Sequence, residues 1–121
     1  GFLEEAILLK DCCKRVKERF ELESVRVFGN LDQPVKKIAI CPGSGKSVID
    51  VAISKGADVL LTGDIGHHEG IDAVARGLAV IDAGHYGLES VFIKDMSVWL
   101  SKQLPEVTVT GAKRQSPFSV I

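Results

Sequence analysis

Two short, mostly apolar segments, Ala57 to Leu61 with its core Val59 to Leu61, and Leu78 to Asp82 with its core Leu78 to Ile81, constrain this chain more than any other feature. Each is bounded by turn residues and too short for a helix, which is how a strand buried on both faces reads. Between them, from about His67 to Arg76, lies a segment of helical length that Gly77 stops. Such alternation predicts α/β layering, with helices covering a mostly parallel central sheet. The remaining chain extends the pattern. Ser24 to Phe28 and Val35 to Ile40 read as strands that pair with each other across Gly29-Asn30 and Pro34, and Lys46 to Lys55 reads as a helix ended by Gly56. Ala6, Leu9, Cys13, Val16 and Phe20 step by three and four, predicting one amphipathic helix from Phe2 to Phe20. A long helix is expected from about His85 to Leu104, stopped by Pro105, and a last strand from Glu106 to Thr110. With 121 residues and no internal repeat, the working count is one domain over residues 1–121.

The composition narrows the function classes. A net charge of -1, without a long basic run, argues against nucleic acid as a partner. The apolar runs are too short to span a bilayer, and Glu4 and Glu5 break the basic-then-apolar start of a signal peptide, so a cytoplasmic setting is expected. Three cysteines cannot all pair, and Cys12 and Cys13 are neighbours on a helix; small buried apolar residues are the preferred reading of Cys12, Cys13 and Cys41. The chain starts Gly-Phe-Leu, without an initiator Met, and looks like a cut within a longer polypeptide.

In an open α/β sheet, ligands gather beyond the carboxyl ends of the strands. Three loops qualify: Cys41 to Lys46, Thr62 to His68, and Asp82 to Glu89, and the last two hold all three histidines of the chain. His85 and Glu89, four apart at a helix start, share one face and can approach a common ion or adjacent ones. The same spacing also suits a simple surface pair. Asp64 follows a buried strand and lies four residues before His68; either both are acid, base or substrate contacts, or Asp64 caps a helix that His68 decorates. His67 reads as an ordinary exposed residue. Asp82 either orients an imidazole from behind or binds backbone amides in a turn, with the turn role preferred. Gly43-Ser44-Gly45-Lys46-Ser47 suggests a phosphate loop, but Ile40 stands where that motif needs Gly. Tight packing of strand against helix, with a solvated Lys46, is therefore preferred to anion binding there.

Taken together, Thr62-Gly63-Asp64-Ile65-Gly66-His67-His68 and Ile81-Asp82-Ala83-Gly84-His85-Tyr86-Gly87-Leu88-Glu89 resemble a known family. It is the Nif-three-like family of dinuclear-metal-centre hexameric proteins, often described as GTP cyclohydrolase type-2 homologues. Cys41-Pro42-Gly43-Ser44-Gly45 resembles that family's Gly-rich turn, with Pro42 where Gly is usual. The order and spacing of the blocks agree, and the resemblance runs from about Val25 to Pro117-Phe118.

The resemblance implies the C-terminal half of a Nif-three-like fold and, in the complete protein, a toroidal homo-hexamer around paired divalent ions (Zn, Fe, Mn or Co). Family metal ligands fall on His85 and Glu89. The others, from a His-His-Pro motif and a downstream Asp, are absent here, so an N-terminal half is needed to complete the site. His67-His68 lacks the Pro and matches a different segment. Two ligands hold an ion poorly, and weak or absent metal is expected of this chain alone. The implied activity is metal-dependent hydrolysis of a nucleotide-like substrate, with Asp64 or His68 carrying the proton. The alternative is a non-catalytic assembly or regulatory module organised by metal.

Overall fold

The computed structural model describes residues 1–116 together with 118 and 119; Pro117, where the resemblance closes, lies outside the described residues. Five strands form one sheet in the order β1-β3-β4-β5-β2: β1 (Phe2–Leu8), β2 (Arg26–Phe28), β3 (Pro34–Ser44), β4 (Val59–Gly63) and β5 (Ala79–Asp82). The helices are α1 (Leu9–Phe20), α2 (Ile49–Ser54), α3 (His67–Ala75), α4 (His85–Glu89) and α5 (Val91–Gln103), with a 3-10 turn over Gly45–Val48. The three central strands β3, β4 and β5 run parallel, and each edge strand is antiparallel to its neighbour.

Side-chain alternation along the central strands divides the core in two. Val59, Leu61, Ala79 and Ile81 face Leu9, Cys12, Cys13 and Val16 of α1 and Leu88 of α4. Leu60 and Val80 point the other way, against Ile49 and Ala52 of α2 and Ala73 of α3. Every residue of β4 and β5 is buried, as the two apolar runs predicted. Those two strands therefore set the layer that positions the loops beyond them. Among the described residues, no helix is long and apolar enough to cross a membrane.

Four local expectations are corrected. Phe2 to Phe20 is not one helix: residues 2–8 form the edge strand β1, with Ile7 opposite Val35, and Ala6, expected on the buried face, is exposed. The open edge of β3 supplies backbone partners that override the helical preference of Leu-Glu-Glu-Ala. The strands at 24–28 and 35–40 do not pair with each other. The intervening segment instead bonds to the start of α1, with Leu9 donating to the Gln33 carbonyl and Lys10 to that of Leu31, both at 2.9 Å. It thereby delivers β2 and β3 to opposite sides of the β4–β5 pair.

The long helix expected from His85 divides at Ser90, which is buried, and whose hydroxyl donates back to the Gly87 carbonyl at 3.4 Å. Such a side-chain bond competes with the helical ladder. Residues 106–110 form no strand and pair with neither edge strand, β1 or β2; Val107 N–H instead closes a turn onto the Leu104 carbonyl.

Candidate metal centre

The carboxyl ends of β3, β4 and β5 lie side by side, so the loops that leave them meet. Ser44 of β3 is in register with Gly63 of β4, and Thr62 with Asp82 of β5. Gly43, near the end of β3, has φ +71°, and a Cβ there would lie 3.3 Å from Glu89 Oε1 and 3.5 Å from His85 Nε2. A larger residue would fill the space around the pair, and its backbone would be strained. Gly63 is equally confined: a Cβ would approach the His85 backbone nitrogen to 2.5 Å. These glycines, part of two resemblance blocks, let three strand ends close upon one imidazole. Thr62, fully buried, ties down the end of β3 by donating its hydroxyl to the Gly43 carbonyl at 3.2 Å.

His85 opens α4, and Glu89 follows one turn later on the same face. His85 Nε2 is 3.2 Å from Glu89 Oε1, and both side chains are about half exposed at 51% and 49%. On the other side of the ring, His85 Nδ1 is 3.0 Å from Asp64 Oδ2. The structure thus brings three of the four sequence-derived site residues into one row: Asp64, His85, Glu89. His68 is exposed on α3, and its ring meets His67 edge to face at 5.3 Å. No hydrogen bond or ion pair among the described residues joins His68 to the row.

Asp64 and Glu89 sit on opposite ring nitrogens, so only Nε2 and the Glu89 carboxylate converge. In keeping with this, no three His, Cys, Asp or Glu side chains among the described residues form a metal-holding group. The donor set still suits a divalent ion: one imidazole nitrogen and one carboxylate oxygen, adjacent and open to solvent. If Nδ1 donates its proton to Asp64, the Nε2 lone pair faces an anionic oxygen at 3.2 Å. That juxtaposition is repulsive until a proton or cation joins it.

Asp82 takes the turn role. Its carboxylate is 6% exposed and accepts the backbone N–H groups of Asp64, Ile65 and Gly84, each at 3.0 Å. Arg26 pairs with it at 2.5 Å, a partner that no motif in the sequence marks. No local signal could reveal that pair, because the two are 56 residues apart and β2 was expected beside β3.

Lys46, expected to be solvated, is an exposed cation paired with Glu69, and that hydrogen bond holds the Glu69 carboxyl below the ordinary carboxylate range. A groove of about 630 Å³ lies away from these residues, lined by Phe20, Ile93, Val98 and Arg114 among others. It contains none of the row.

The family model of Duf34/NIF3 (NGG1p interacting factor 3) matches residues 1–117, extending the resemblance from Val25 back to the first residue. The chain belongs to this family. A GTP cyclohydrolase 1 type 2 homolog of Halalkalibacterium halodurans is 32% identical across the whole chain, which covers 34% of that protein. Its counterpart in Clostridium acetobutylicum is 36% identical over 88% of the chain and 40% of that protein. The crystal structure of a Bacillus cereus protein related to NIF3 superposes over all of the chain and 35% of its own, with a TM-score of 0.93 and 32% identity. The chain therefore has the fold its sequence blocks implied, and it spans about a third of the length of the curated relatives.

Proposed function

We propose that His85 and Glu89 are two ligands of a divalent-metal site that another segment of a longer protein completes. The carrying observation is the approach of His85 Nε2 to Glu89 Oε1 at 3.2 Å, at the meeting of three strand ends cleared by Gly43. Two ligands are fewer than the three or four of a durable centre, so the proposal includes an N-terminal half and a homo-oligomer, a toroidal hexamer, in a cytoplasmic setting.

The proposed reaction class is metal-dependent hydrolysis of a nucleotide-like substrate, supported by the names of the curated relatives. A divalent ion, when bound, supplies Lewis acidity and lowers the pKa of water. Asp64 is the proton carrier better placed for this chemistry: Oδ2 holds His85, while Oδ1 has no hydrogen-bond partner among the described residues. His68 has no link to the row that would support the same role.

In the full-length protein, His85→Ala and Glu89→Ala are each expected to abolish metal content, read by elemental analysis of protein purified without chelator. Unchanged stoichiometry in both variants would contradict the assignment. Full metal content without turnover on any nucleotide would leave the metal-organised assembly role in place of the hydrolase.

A further inference from the structure

Asp82 is unusual among the acidic residues near the row because it faces inward. It ends β5, and its register neighbours are Thr62 on β4 and Arg26 on β2. Oδ1 accepts from the backbone nitrogens of Asp64 and Gly84; Oδ2 accepts from Ile65 N–H and from Arg26 Nη2. Arg26 Nη2 also donates to the Ile65 carbonyl, so the guanidinium holds both the carboxylate and the loop that the carboxylate holds.

The two loops so tied carry the two residues that meet at the imidazole. Asp64 leaves β4 with φ +54°, a left-handed conformation that costs a non-glycine residue energy unless its surroundings enforce it. The bond from its own N–H to Asp82 Oδ1 is such an enforcement. Gly84, one residue before His85, has φ +72° and is bonded to the same oxygen. One buried atom therefore fixes the spacing between the backbone that presents Asp64 and the backbone that presents His85.

Resting on the metal-site reading above, we propose that the Asp82–Arg26 pair is a positioning clamp. It holds Asp64 against His85 Nδ1 and so keeps the His85 proton on that nitrogen, leaving Nε2 free beside Glu89 for a divalent cation. Neither Asp82 nor Arg26 touches the ion or a substrate. They act through Asp64, which selects the tautomer by accepting the Nδ1 proton, the arrangement that raises ligand basicity in metal-bound histidines.

The test uses the full-length protein and two readouts: the His85 tautomer by nitrogen-15 NMR of the metal-free protein at a pH where the imidazole is neutral, and Zn²⁺ affinity by calorimetry. In the parent the proton is expected on Nδ1. Asp82→Asn is expected to mix the tautomers and weaken Zn²⁺ binding by roughly 10- to 100-fold, the range found for outer partners of metal ligands. Arg26→Gln, at a side chain 59% exposed, removes the guanidinium without opening the core and is expected to change both readouts in the same direction.

Asp64→Ala should reproduce the tautomer change with the clamp intact. Weaker Zn²⁺ binding with an unchanged tautomer in Asp82→Asn or Arg26→Gln would overturn the route through Asp64. Unchanged tautomer and affinity in Arg26→Gln would overturn the pair as a clamp even if Asp82→Asn failed to fold. A parent protein that binds no Zn²⁺ would sink the metal reading alone, because the tautomer comparison still decides the clamp.

Discussion

Helices α1 and α5 have 12 and 13 residues and both carry apolar residues at helical spacing, yet the fold treats them oppositely. α1 sinks Leu9, Cys12, Cys13 and Val16 into the core against β3, β4 and β5. α5 has no buried residue: Phe92 is 62% exposed and Trp99 53%. The segment after α5 passes beside Ile93 and Ser97 at Gly111 and is then pinned to α1 and α4, with Arg114 reaching Glu21 at 2.7 Å and the Phe20 carbonyl at 3.0 Å, and Gln115 N–H donating to the Tyr86 hydroxyl at 2.5 Å. The contrast teaches that periodicity reveals an apolar stripe, while only packing shows whether this chain covers it.

The comparison can be broken most directly at Leu9, which is fully buried in α1. Leu9→Ala is expected to cost about 2–5 kcal/mol, the range for emptying a packed leucine site, measured by urea unfolding of the parent and variant. A loss near zero would show α1 to be as loosely held as α5.

A second measurement sharpens the closure of α1 through its thiols. Burial pushes the Cys13 thiol up to about 11 and raises that of Cys12, whereas Cys41 is half-buried at the end of β3. Iodoacetamide should alkylate Cys41 first and reach Cys12 and Cys13 only on unfolding, because the thiolate is the reactive form. The sign for Cys13 follows from its raised folded-state pKa. Its contribution to stability is complete below the ordinary thiol value of 9.0 and is lost as pH rises through about 11. Equal labelling of all three thiols at neutral pH would contradict the buried face.

The smallest effect belongs to α5. Trp99→Ala is expected to change stability by no more than about 0.5 kcal/mol, as for other surface substitutions, read from the same urea curves. A loss comparable to that of Leu9→Ala would mean that α5 is covered in solution.

The site was more legible than the chain's outer parts. His85 and Glu89 are local partners: a helix start and a spacing of four place them on one face whatever else the chain does. Asp64 could be placed beyond a buried strand, but its approach to the opposite ring nitrogen depends on β4 and β5 being neighbours. The edges misled for a related reason. Residues 2–8 join the helical stripe through Ala6 alone, and their strand conformation comes from the free edge of β3, which lies about thirty residues away in sequence.

The sequence by itself determined what short-range chemistry controls: the two buried runs that became β4 and β5, the glycine-marked loops after them, and the His85–Glu89 pair. Tertiary structure alone decided that residues 2–8 form a strand, which neighbour β2 pairs with, the division of the last helix at Ser90, and the joining of Arg26 to Asp82. The physical reason is that a strand's partners, and a buried carboxylate's, are chosen by whatever backbone and charge the rest of the fold brings within bonding distance, a choice that no local pattern encodes.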